Sequence, residues 1–366
     1  MKKILITGGA GFIGSHTCLL LLEKGYKVHG LVRRSSSFNR WRIEHLIQDL
    51  ATYGKKLFLH YSDLSDDASL RRIFSKTKPD EFYHLAGQSH VGISFEIPEV
   101  TTQEIANCTV KLLEICRDQL PPPRIYLACS SEIFGNSSDS AQNEESPLNP
   151  TSPYGVAKAF CLHTGHIYRE SYQLFVCNGI LYNHESPRRG ENFVTQKIVQ
   201  GMCKIKLKKQ KRLYLGNLYS KRDWGHAKDY VEMQWLMLQQ ENPEDYVIAS
   251  GEMKSVREFI EICAKELGWE KKEGGKAIIW EKSGLDEVGK RADTEEVVVR
   301  IDPRYFRPTE VEQLLGDSSK ARNQLKWKPK ITLYQLIAEM IEEDSNEAKK
   351  ESLLKKKGFS IYGSKE

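Results

Sequence analysis

The chain has 366 residues, of which 40% are hydrophobic and 28% charged, and this length suits one large α/β unit or two domains sharing a cleft. The net charge is only +5, and no basic stripe is interleaved with aromatic residues, so we expect anionic small-molecule ligands and no nucleic acid partner. Eight scattered cysteines, without a CxxC pair or zinc-ligand spacing, predict buried free thiols, no metal site and a reducing compartment.

Strand-like and helix-like patterns alternate through the first half of the chain. The first apolar run, in "MKKILITGG", is too short for a signal peptide or a membrane span, so we expect a cytoplasmic protein with no membrane partner. Strands are predicted at 3–7, 27–32, 57–62, from Asp80, from Arg124, and at 174–183, and helices at 13–24, near 69–75, at 101–117 and at 154–172. The alternation predicts an α/β fold with a doubly wound parallel Rossmann sheet, whose ligands bind beyond the carboxyl ends of the strands.

This rhythm breaks after Asn183. A polar loop follows, then mixed short elements, and "DYVIASGE" at Asp245 resembles one more strand of the sheet. The sequence therefore predicts a dinucleotide-binding Rossmann domain at 1–183, with a returning segment near 225–251. A smaller, interleaved C-terminal substrate lobe is predicted at 184–345. A lysine-rich polar tail, frayed or disordered, is predicted at 346–366.

A glycine pattern joins the first predicted strand to the first predicted helix. In "ITGGAGFIGSH", Gly8, Gly11 and Gly14 are spaced GxxGxxG, and Phe12 and Ile13 lie between the last two. Glycines here permit a tight turn, close approach to a pyrophosphate and close packing of helix and strand. We therefore expect these five residues to contact a dinucleotide at the helix N-terminus.

The second predicted strand ends in "VRRSSSF", where many dinucleotide-binding folds carry an acid for the ribose. Guanidinium groups of Arg33 and Arg34, with the hydroxyl of Ser36, would instead offer charge-assisted donors to a 2′-phosphate, so we predict NADP. Two alternatives stay open: a solvated basic loop, or a contact of this loop and Trp41 with a neighbouring subunit. The ends of the third and fourth strands, Asp63-Leu64 and "LAGQSH", are expected to contact the adenine and nicotinamide ends of the dinucleotide.

Four residues form the predicted catalytic set. Tyr154 and Lys158 are four apart on a predicted helix, so they share a face, and the ammonium favours a phenolate that can take a proton from a sugar hydroxyl. Ser130 and Glu132 end the fifth predicted strand. The Ser130 hydroxyl can bind the reacting oxygen. A carboxyl group such as Glu132 is needed for dehydration, in which a C5 proton and a C6 hydroxyl leave a 4-keto sugar, but not for simple oxidation or epimerisation.

With these residues in place, the chain resembles the extended short-chain dehydrogenases/reductases and, more narrowly, the GDP-mannose 4,6-dehydratase family over about residues 1–345. Family-specific stretches include "RRSSSFN", "RIEHL", "QSHV", "SEIFG", "NGILYNHESPRRGENFVTQKI", "LGNLYSKRDWGHAKDYVEMQWLMLQ", "SVREF", "EVG", "YFRPTEVEQLLGD" and "LKWKP".

The resemblance implies a hydro-lyase that converts a GDP-hexose, foremost GDP-mannose, to a GDP-4-keto-6-deoxyhexose with NADP. It implies catalytic roles for Ser130, Glu132, Tyr154 and Lys158, of which the last two also contact the cofactor. Cofactor contacts fall on Gly8, Gly11, Gly14, Arg33, Ser36, Asp63, Leu64, Leu85, Gln88, Ser89, His184 and Arg189. Contacts with the GDP-sugar fall on Ser89, Asn183, Asn192, Val194, Lys197, Gly216, Lys221, Arg222, Arg307 and Glu310. The family also suggests a homodimer or homotetramer built partly through the arginine loop.

The chain departs from the family pattern around the cofactor and the sugar. Ser130 replaces a threonine, "GGAGFIG" replaces a form closer to GQDGSYL, a tyrosine near Val100 is absent, and "QEIANCTVKLLEIC" is atypical. GDP-heptose and GDP-N-acetylglucosamine are therefore open as alternative substrates. A GDP-sugar 4-reductase or epimerase is a further alternative, against which Glu132 argues. A non-catalytic NADP-binding regulator is disfavoured by the intact Tyr154 and Lys158.

Overall fold

The computed structural model describes residues 1–35, 39–136 and 141–359. The chain divides into two compact units, each built from three segments. The first unit comprises Met1–His184, Asp223–Met253 and Val311–Lys330. The second comprises Glu185–Arg222, Lys254–Glu310 and Ile331–Glu366.

Fifteen strands lie in the described ranges. In chain order they are β1 Lys3–Thr7, β2 Lys27–Val32, β3 Leu57–Tyr61, β4 Glu81–His84, β5 Arg124–Ser130, β6 Val176–Leu181, β7 Asn183–Glu185, β8 Leu213–Leu215, β9 Lys221–His226, β10 Tyr246–Ile248, β11 Met253–Ser255, β12 Ile278–Glu281, β13 Val288–Arg291, β14 Val297–Ile301 and β15 Gln313–Leu314.

Eleven α-helices lie in the same ranges. They are α1 Phe12–Glu23, α2 Glu44–Gln48, α3 Asp67–Thr77, α4 Pro98–Thr102, α5 Cys108–Arg117, α6 Pro153–Tyr172, α7 Val194–Lys206, α8 Ala227–Met237, α9 Val256–Glu266, α10 Ser319–Leu325 and α11 Leu333–Lys356. A π-helical turn, Gln103–Asn107, joins α4 to α5.

The first unit contains a seven-stranded sheet of order β10-β6-β5-β4-β1-β2-β3, in which all paired strands are parallel. The order reverses between β1 and β4, which is the position where open α/β sheets bind ligands. The strands are almost continuously apolar because both faces of the sheet are covered. Ile4, Ile6 and Tyr126 pack on one face, whereas Leu5 and Ile125 pack in a separate cluster on the other. The predicted doubly wound Rossmann sheet is confirmed.

Local sequence signals set several helix boundaries in both units. Ser152 caps α6 by accepting the Gly155 N–H at 3.0 Å, and Pro153 occupies the first helical position, where a missing N–H costs nothing. Ser255 and Thr332 form capping boxes at the starts of α9 and α11.

The second unit contains a small sheet of order β12-β13-β14-β8 and the helices α7, α9 and α11. Helix α11 continues to Lys356, through much of the stretch predicted as a polar tail. The first unit also takes in Val311–Lys330, which the sequence did not assign to it. Among the helices of the described residues, none has the length and apolar character that crossing a bilayer requires. All eight cysteines are buried and free, which confirms that prediction.

Candidate active site

The glycine turn lies between β1 and α1, at the reversal of strand order. Gly8 has φ +71°, and a Cβ there would lie 3.2 Å from the backbone of Ala86. A Cβ on Gly14 would overlap the carbonyl oxygen of Gly8, so the turn closes this tightly only with glycine. The Gly11 N–H donates to the Gly8 carbonyl at 2.8 Å, and Gly11 itself is exposed at the start of α1.

Two predicted cofactor residues meet beside this turn. The Phe12 ring stacks on the ring of His184, with centroids 5.8 Å apart and planes at 10°. The position of His184 is fixed by its Nδ1 atom at 2.9 Å from the Tyr182 carbonyl. The structure therefore brings His184 to the first turn of α1 within the first unit, although the two residues are far apart in sequence.

The ends of β2 and β3 carry the predicted adenosine-side residues. Arg33 and Arg34 follow β2 and are exposed, whereas Ser36 lies outside the described residues. The hydroxyl and backbone N–H of Ser65 hold the pKa of Asp63 below its usual value, and the charge of Arg33 acts in the same direction. Leu64 accepts a hydrogen bond from Lys111 Nζ at 3.1 Å through its carbonyl. Arg33 and Asp63 thus lie near each other at the ends of the adjacent strands β2 and β3.

The end of β4 is tied to β1 by the side-chain hydroxyl of Thr7. Thr7 Oγ1 accepts from the N–H of Leu85 at 2.9 Å and lies 2.9 Å from His84 Nδ1. Burial, with the positive charge of Lys158 nearby, lowers the pKa of His84 to about 3, so this histidine is neutral at physiological pH. The Gln88 amide donates to the His90 carbonyl at 2.9 Å.

Ser89 is exposed in the same turn. Ser89 is therefore accessible to a ligand, whereas the Gln88 side chain is hydrogen-bonded to the backbone of the turn.

The four predicted catalytic residues lie where the carboxyl end of β5 meets the first turns of α6. Ser130 ends β5, and its Oγ accepts the Glu132 N–H at 3.3 Å. A Cβ on Gly155 would lie 2.7 Å from the Glu132 carbonyl oxygen, so glycine lets α6 approach this corner closely. Ser130, Glu132 and Tyr154 are each 8% exposed.

Lys158 is held beside Tyr154 on the inner face of α6. Its ammonium donates to the Ala128 carbonyl at 2.7 Å and lies 5.8 Å from the centroid of the Tyr154 ring. The Tyr154 backbone N–H donates to Ser94 Oγ at 3.3 Å, which fixes the start of the helix. Within the described residues, no ion pair engages the Glu132 carboxylate. The residues that carry a hydroxyl, a carboxyl, a phenol and an ammonium group therefore lie at one corner of the first unit.

The second unit carries most of the predicted GDP-sugar residues. Lys197, on the first turn of α7, places its ammonium 3.2 Å from the centroid of the Tyr305 ring. A Cβ on Gly216 would collide with the Tyr305 carbonyl, so glycine is required there too. Arg222 pairs with Glu310 at 3.0 Å, and Arg307 lies 3.8 Å from the same oxygen.

The remaining predicted residues flank these. Asn183 begins β7, Asn192 precedes α7, Val194 begins α7, and Lys221 is exposed at the start of β9.

The sequence did not point to several residues that hold the predicted ligand-binding side chains in place. Glu185, with its side chain 2% exposed, pairs with Arg189 at 3.0 Å, and burial raises the pKa of Glu185 while Arg189 opposes this rise. The Arg189 guanidinium also stacks on Phe193 at 3.6 Å. Tyr305 belongs to the stretch "YFRPTEV", in which only Arg307 and Glu310 are predicted to contact the GDP-sugar. The only sequence signal for these residues was their place inside family-specific stretches.

The fold and the site together define a class. The order of the parallel strands reverses at a glycine turn, and a tyrosine and a lysine four residues apart lie beside a serine at the end of a strand. This is the arrangement of an extended short-chain dehydrogenase/reductase. A family model described as GDP-mannose 4,6 dehydratase matches residues 5–340. The chain belongs to the GDP-mannose 4,6-dehydratase family, which confirms the resemblance seen in the sequence.

Relatives from distant organisms are similar along nearly the whole chain. A GDP-mannose 4,6-dehydratase of Yersinia enterocolitica is 50% identical over 366 residues, covering 99% of this chain and 98% of the relative. GDP-mannose 4,6 dehydratase 2 of Caenorhabditis elegans is 49% identical over 348 residues, covering 94% of this chain and 89% of the relative.

Solved structures share the fold at low identity. A dTDP-glucose 4,6-dehydratase from Streptomyces venezuelae, with NAD and TYD bound, has a TM-score of 0.76 and 24% identity, covering 93% of this chain and 96% of that one. A dTDP-glucose 4,6-dehydratase from Bacillus anthracis in complex with NAD has a TM-score of 0.76 and 22% identity, covering 95% and 98%. Similarity at this level establishes the fold.

Proposed function

We propose that the protein is a nucleotide-sugar 4,6-dehydratase that converts GDP-mannose to a GDP-4-keto-6-deoxyhexose. The observation that carries the proposal is a buried carboxyl group, Glu132, at the same corner as Ser130, Tyr154 and Lys158. Family membership along the whole chain supports the choice of a GDP-linked hexose.

The proposed chemistry divides among the four residues. Lys158 favours the phenolate of Tyr154, which takes the proton of the C4 hydroxyl while the Ser130 hydroxyl binds the same oxygen. Once C4 is a ketone, the C5 proton is acidic, and the Glu132 carboxylate removes it. The resulting carboxylic acid protonates the C6 hydroxyl, which leaves as water. The C5 proton and the C6 hydroxyl thus leave as water. Once a hydride is back at C6, the phenol of Tyr154 would return its proton at C5, so the product keeps a C5–H and no net redox change occurs.

A nicotinamide dinucleotide fits the first unit. Gly8 and Gly14 let the turn close tightly beside the exposed start of α1, and backbone N–H groups at the start of that helix favour a pyrophosphate. When bound, this cofactor would accept the C4 hydride and return it to C6. The residues to hold it are Gly8, Gly11, Phe12, Ile13, Gly14, Asp63, Leu64, Leu85, Gln88, Ser89, Tyr154, Lys158, His184 and Arg189.

We infer that the cofactor is NADP rather than NAD. Two exposed guanidinium groups at the end of β2, Arg33 and Arg34, suit a 2′-phosphate, and neither is engaged by an ion pair in the described residues. Ser36, from the same loop, completes the set proposed for this phosphate.

For the GDP-sugar we propose Ser89, Asn183, Asn192, Val194, Lys197, Gly216, Lys221, Arg222, Arg307 and Glu310. The cationic members suit a diphosphate, and Glu310, between two arginines, keeps those guanidinium groups oriented.

We also propose a homo-oligomer in the cytoplasm. Val156, Phe160 and Ile167 are 55%, 45% and 55% exposed at helical spacing along α6, and Val100 is 48% exposed on α4, which packs beside α6. An exposed apolar face of this kind favours a contact with a second copy. Eight free, buried thiols suit a reducing compartment.

One experiment tests the proposed reaction. The protein with bound NADP is incubated with GDP-mannose, GDP-heptose or GDP-N-acetylglucosamine without added reductant, and products are measured by mass spectrometry. We expect GDP-mannose to lose one water. An altered sugar of unchanged mass would indicate epimerisation instead, and no reaction with GDP-mannose would contradict the proposal.

A further inference from the structure

A loop of the second unit, the β8–β9 loop at residues 216–220, is flanked by proposed GDP-sugar residues. Gly216 begins it, and Lys221 and Arg222 follow it on β9. We propose that Tyr219, Arg257 and Glu287 form a brace that holds this loop in the conformation that binds the GDP moiety. The inference rests on the proposed function, because that function assigns the flanking residues to the ligand.

The backbone of the loop is tied to the first turn of α9. The carbonyl of Leu218 accepts the Arg257 N–H at 2.9 Å, and the carbonyl of Ser220 accepts the Val256 N–H at 3.1 Å. The Leu218 side chain is fully buried. Both sides of Tyr219 are therefore fixed to the same helix.

The side chains of the brace meet at a buried carboxylate. The Tyr219 hydroxyl donates to Glu287 Oε2 at 2.7 Å, and Arg257 Nη1 donates to Glu287 Oε1 at 2.9 Å. Arg257 Nη1 also lies 3.3 Å from the Tyr219 hydroxyl, which closes a triangle. The Glu287 side chain is 1% exposed, so its charge needs both donors.

Arg257 is in turn held by the small sheet. Its guanidinium lies 4.7 Å from the centroid of the Trp280 ring on β12. The Trp280 indole N–H donates to Glu261 at 2.8 Å, on the same helix as Arg257. The brace therefore links the loop to α9, to β12 and to the residue that precedes β13.

Burial does not explain Tyr219, since it is 54% exposed although its hydroxyl is anchored. A core tyrosine would instead be covered. An anchored hydroxyl on an otherwise exposed loop mainly restricts the conformations of that loop. Ordering a loop before the ligand arrives lowers the entropic cost of binding, so the brace acts on affinity for the GDP moiety rather than on the chemical step.

The test variant is Tyr219→Phe, which removes only the hydroxyl. Its matched control is Tyr214→Phe, at a tyrosine 41% exposed on β8. We expect Tyr219→Phe to raise both the Kd for GDP and the KM for GDP-mannose about fivefold, because a hydrogen bond to a charged group is lost. The kcat and the Kd for NADP should stay near those of the control, whereas the melting temperature should fall slightly because the Glu287 carboxylate loses a donor.

A second variant, Glu287→Ala, tests the coupling. Combined with Tyr219→Phe it should weaken GDP binding no further than Glu287→Ala alone, since both changes remove the same hydrogen bond. Additive effects, an unchanged Kd for GDP in Tyr219→Phe, or an equal loss of NADP affinity would each overturn the brace. Wild-type protein that binds no GDP would overturn the proposed function and the brace together.

Discussion

Glu132 is the residue on which the proposed reaction depends. A serine, a tyrosine and a lysine suffice for moving a hydride at C4, but loss of water from C5 and C6 needs a further acid and base. Glu132 follows the end of β5 and is 8% exposed as a residue, so its carboxyl group can serve a substrate in a site with little competing water.

Replacing the acid/base and the phenol should give different defects. Glu132→Gln is expected to lower water loss by at least about a hundredfold while C4 oxidation remains visible as NADPH absorbance. Tyr154→Phe should abolish both steps while NADP still binds. Glu145→Gln, at an exposed acid nearby, and Tyr172→Phe, at the far end of α6, serve as controls. Dehydration at the full rate in Glu132→Gln would show that another residue acts as acid and base.

The cofactor preference can be tested at a single guanidinium. Arg33→Ala should weaken NADP roughly tenfold and leave NAD nearly unchanged, because only NADP carries the 2′-phosphate that Arg33 would pair with. Titration of protein fluorescence with each dinucleotide measures both constants. Arg212→Ala removes an exposed arginine elsewhere and controls for net charge. Equal losses for NADP and NAD would mean that Arg33 has a structural role.

At this scale, residues with a local pattern could be predicted and residues defined by tertiary contact could not. The glycine turn and the Tyr154/Lys158 spacing follow from backbone geometry, which neighbouring residues dictate. Glu185 and Tyr305 gain their roles from the groups packed on them, Arg189 and Lys197. No period or spacing in the sequence encodes such a contact.

Helices α7 and α11 are joined by the carboxyl group of Asp344, whose pKa lies above its ordinary value. Both carboxylate oxygens of Asp344 accept from Gln196 Nε2, at 3.1 and 3.0 Å, and burial raises the pKa of Asp344 to about 7. In the unfolded chain its pKa is near 3.8. Between these values the folded state holds a proton that the unfolded state has lost, so the free energy of unfolding falls as pH rises through this window.

Replacing the Asp344 carboxyl group with one that does not titrate should therefore stabilise the protein at high pH. We expect Asp344→Asn to raise the free energy of unfolding by roughly 1 to 2 kcal/mol at pH 8 and to change it little at pH 4. Urea unfolding at both pH values measures the difference, with Glu342→Gln, at an exposed acid of the same helix, as control. The same gain at both pH values would rule out the titration as its cause.

Element types were predictable, whereas their internal irregularities were not. The strands and helices of the first unit follow the alternation read from the sequence, but the helix expected at 101–117 contains a π-helical turn at Gln103–Asn107. In this region Cys161 Sγ lies 3.4 Å from the Ile105 carbonyl, and Thr109 Oγ1 lies 3.2 Å from the same sulfur. The π-helical turn therefore lies where this segment contacts α6. The periodicity of the segment's own sequence cannot indicate a contact with another helix.

For the whole molecule, the exposed face of α6 leads to a prediction about assembly. The wild-type protein should sediment as a dimer or tetramer, and Phe160→Lys should shift it toward monomer, because a charge placed in an apolar contact is costly to desolvate. Leu120→Lys, at a residue 93% exposed, should leave assembly unchanged. Analytical ultracentrifugation distinguishes these outcomes, and a monomeric wild-type protein would contradict the proposal.

The interleaving of the two units has a consequence for synthesis on the ribosome. Trp327 packs among the buried residues of the first unit, with its indole N–H donating to the Asp229 carbonyl at 3.1 Å, and Lys330 N–H donates to the Asp229 carboxylate at 2.9 Å. The nascent chain therefore cannot complete the first unit until Lys330 has been translated. A premature stop codon even late in the gene would release a product that chaperones and proteases should recognise as unfinished.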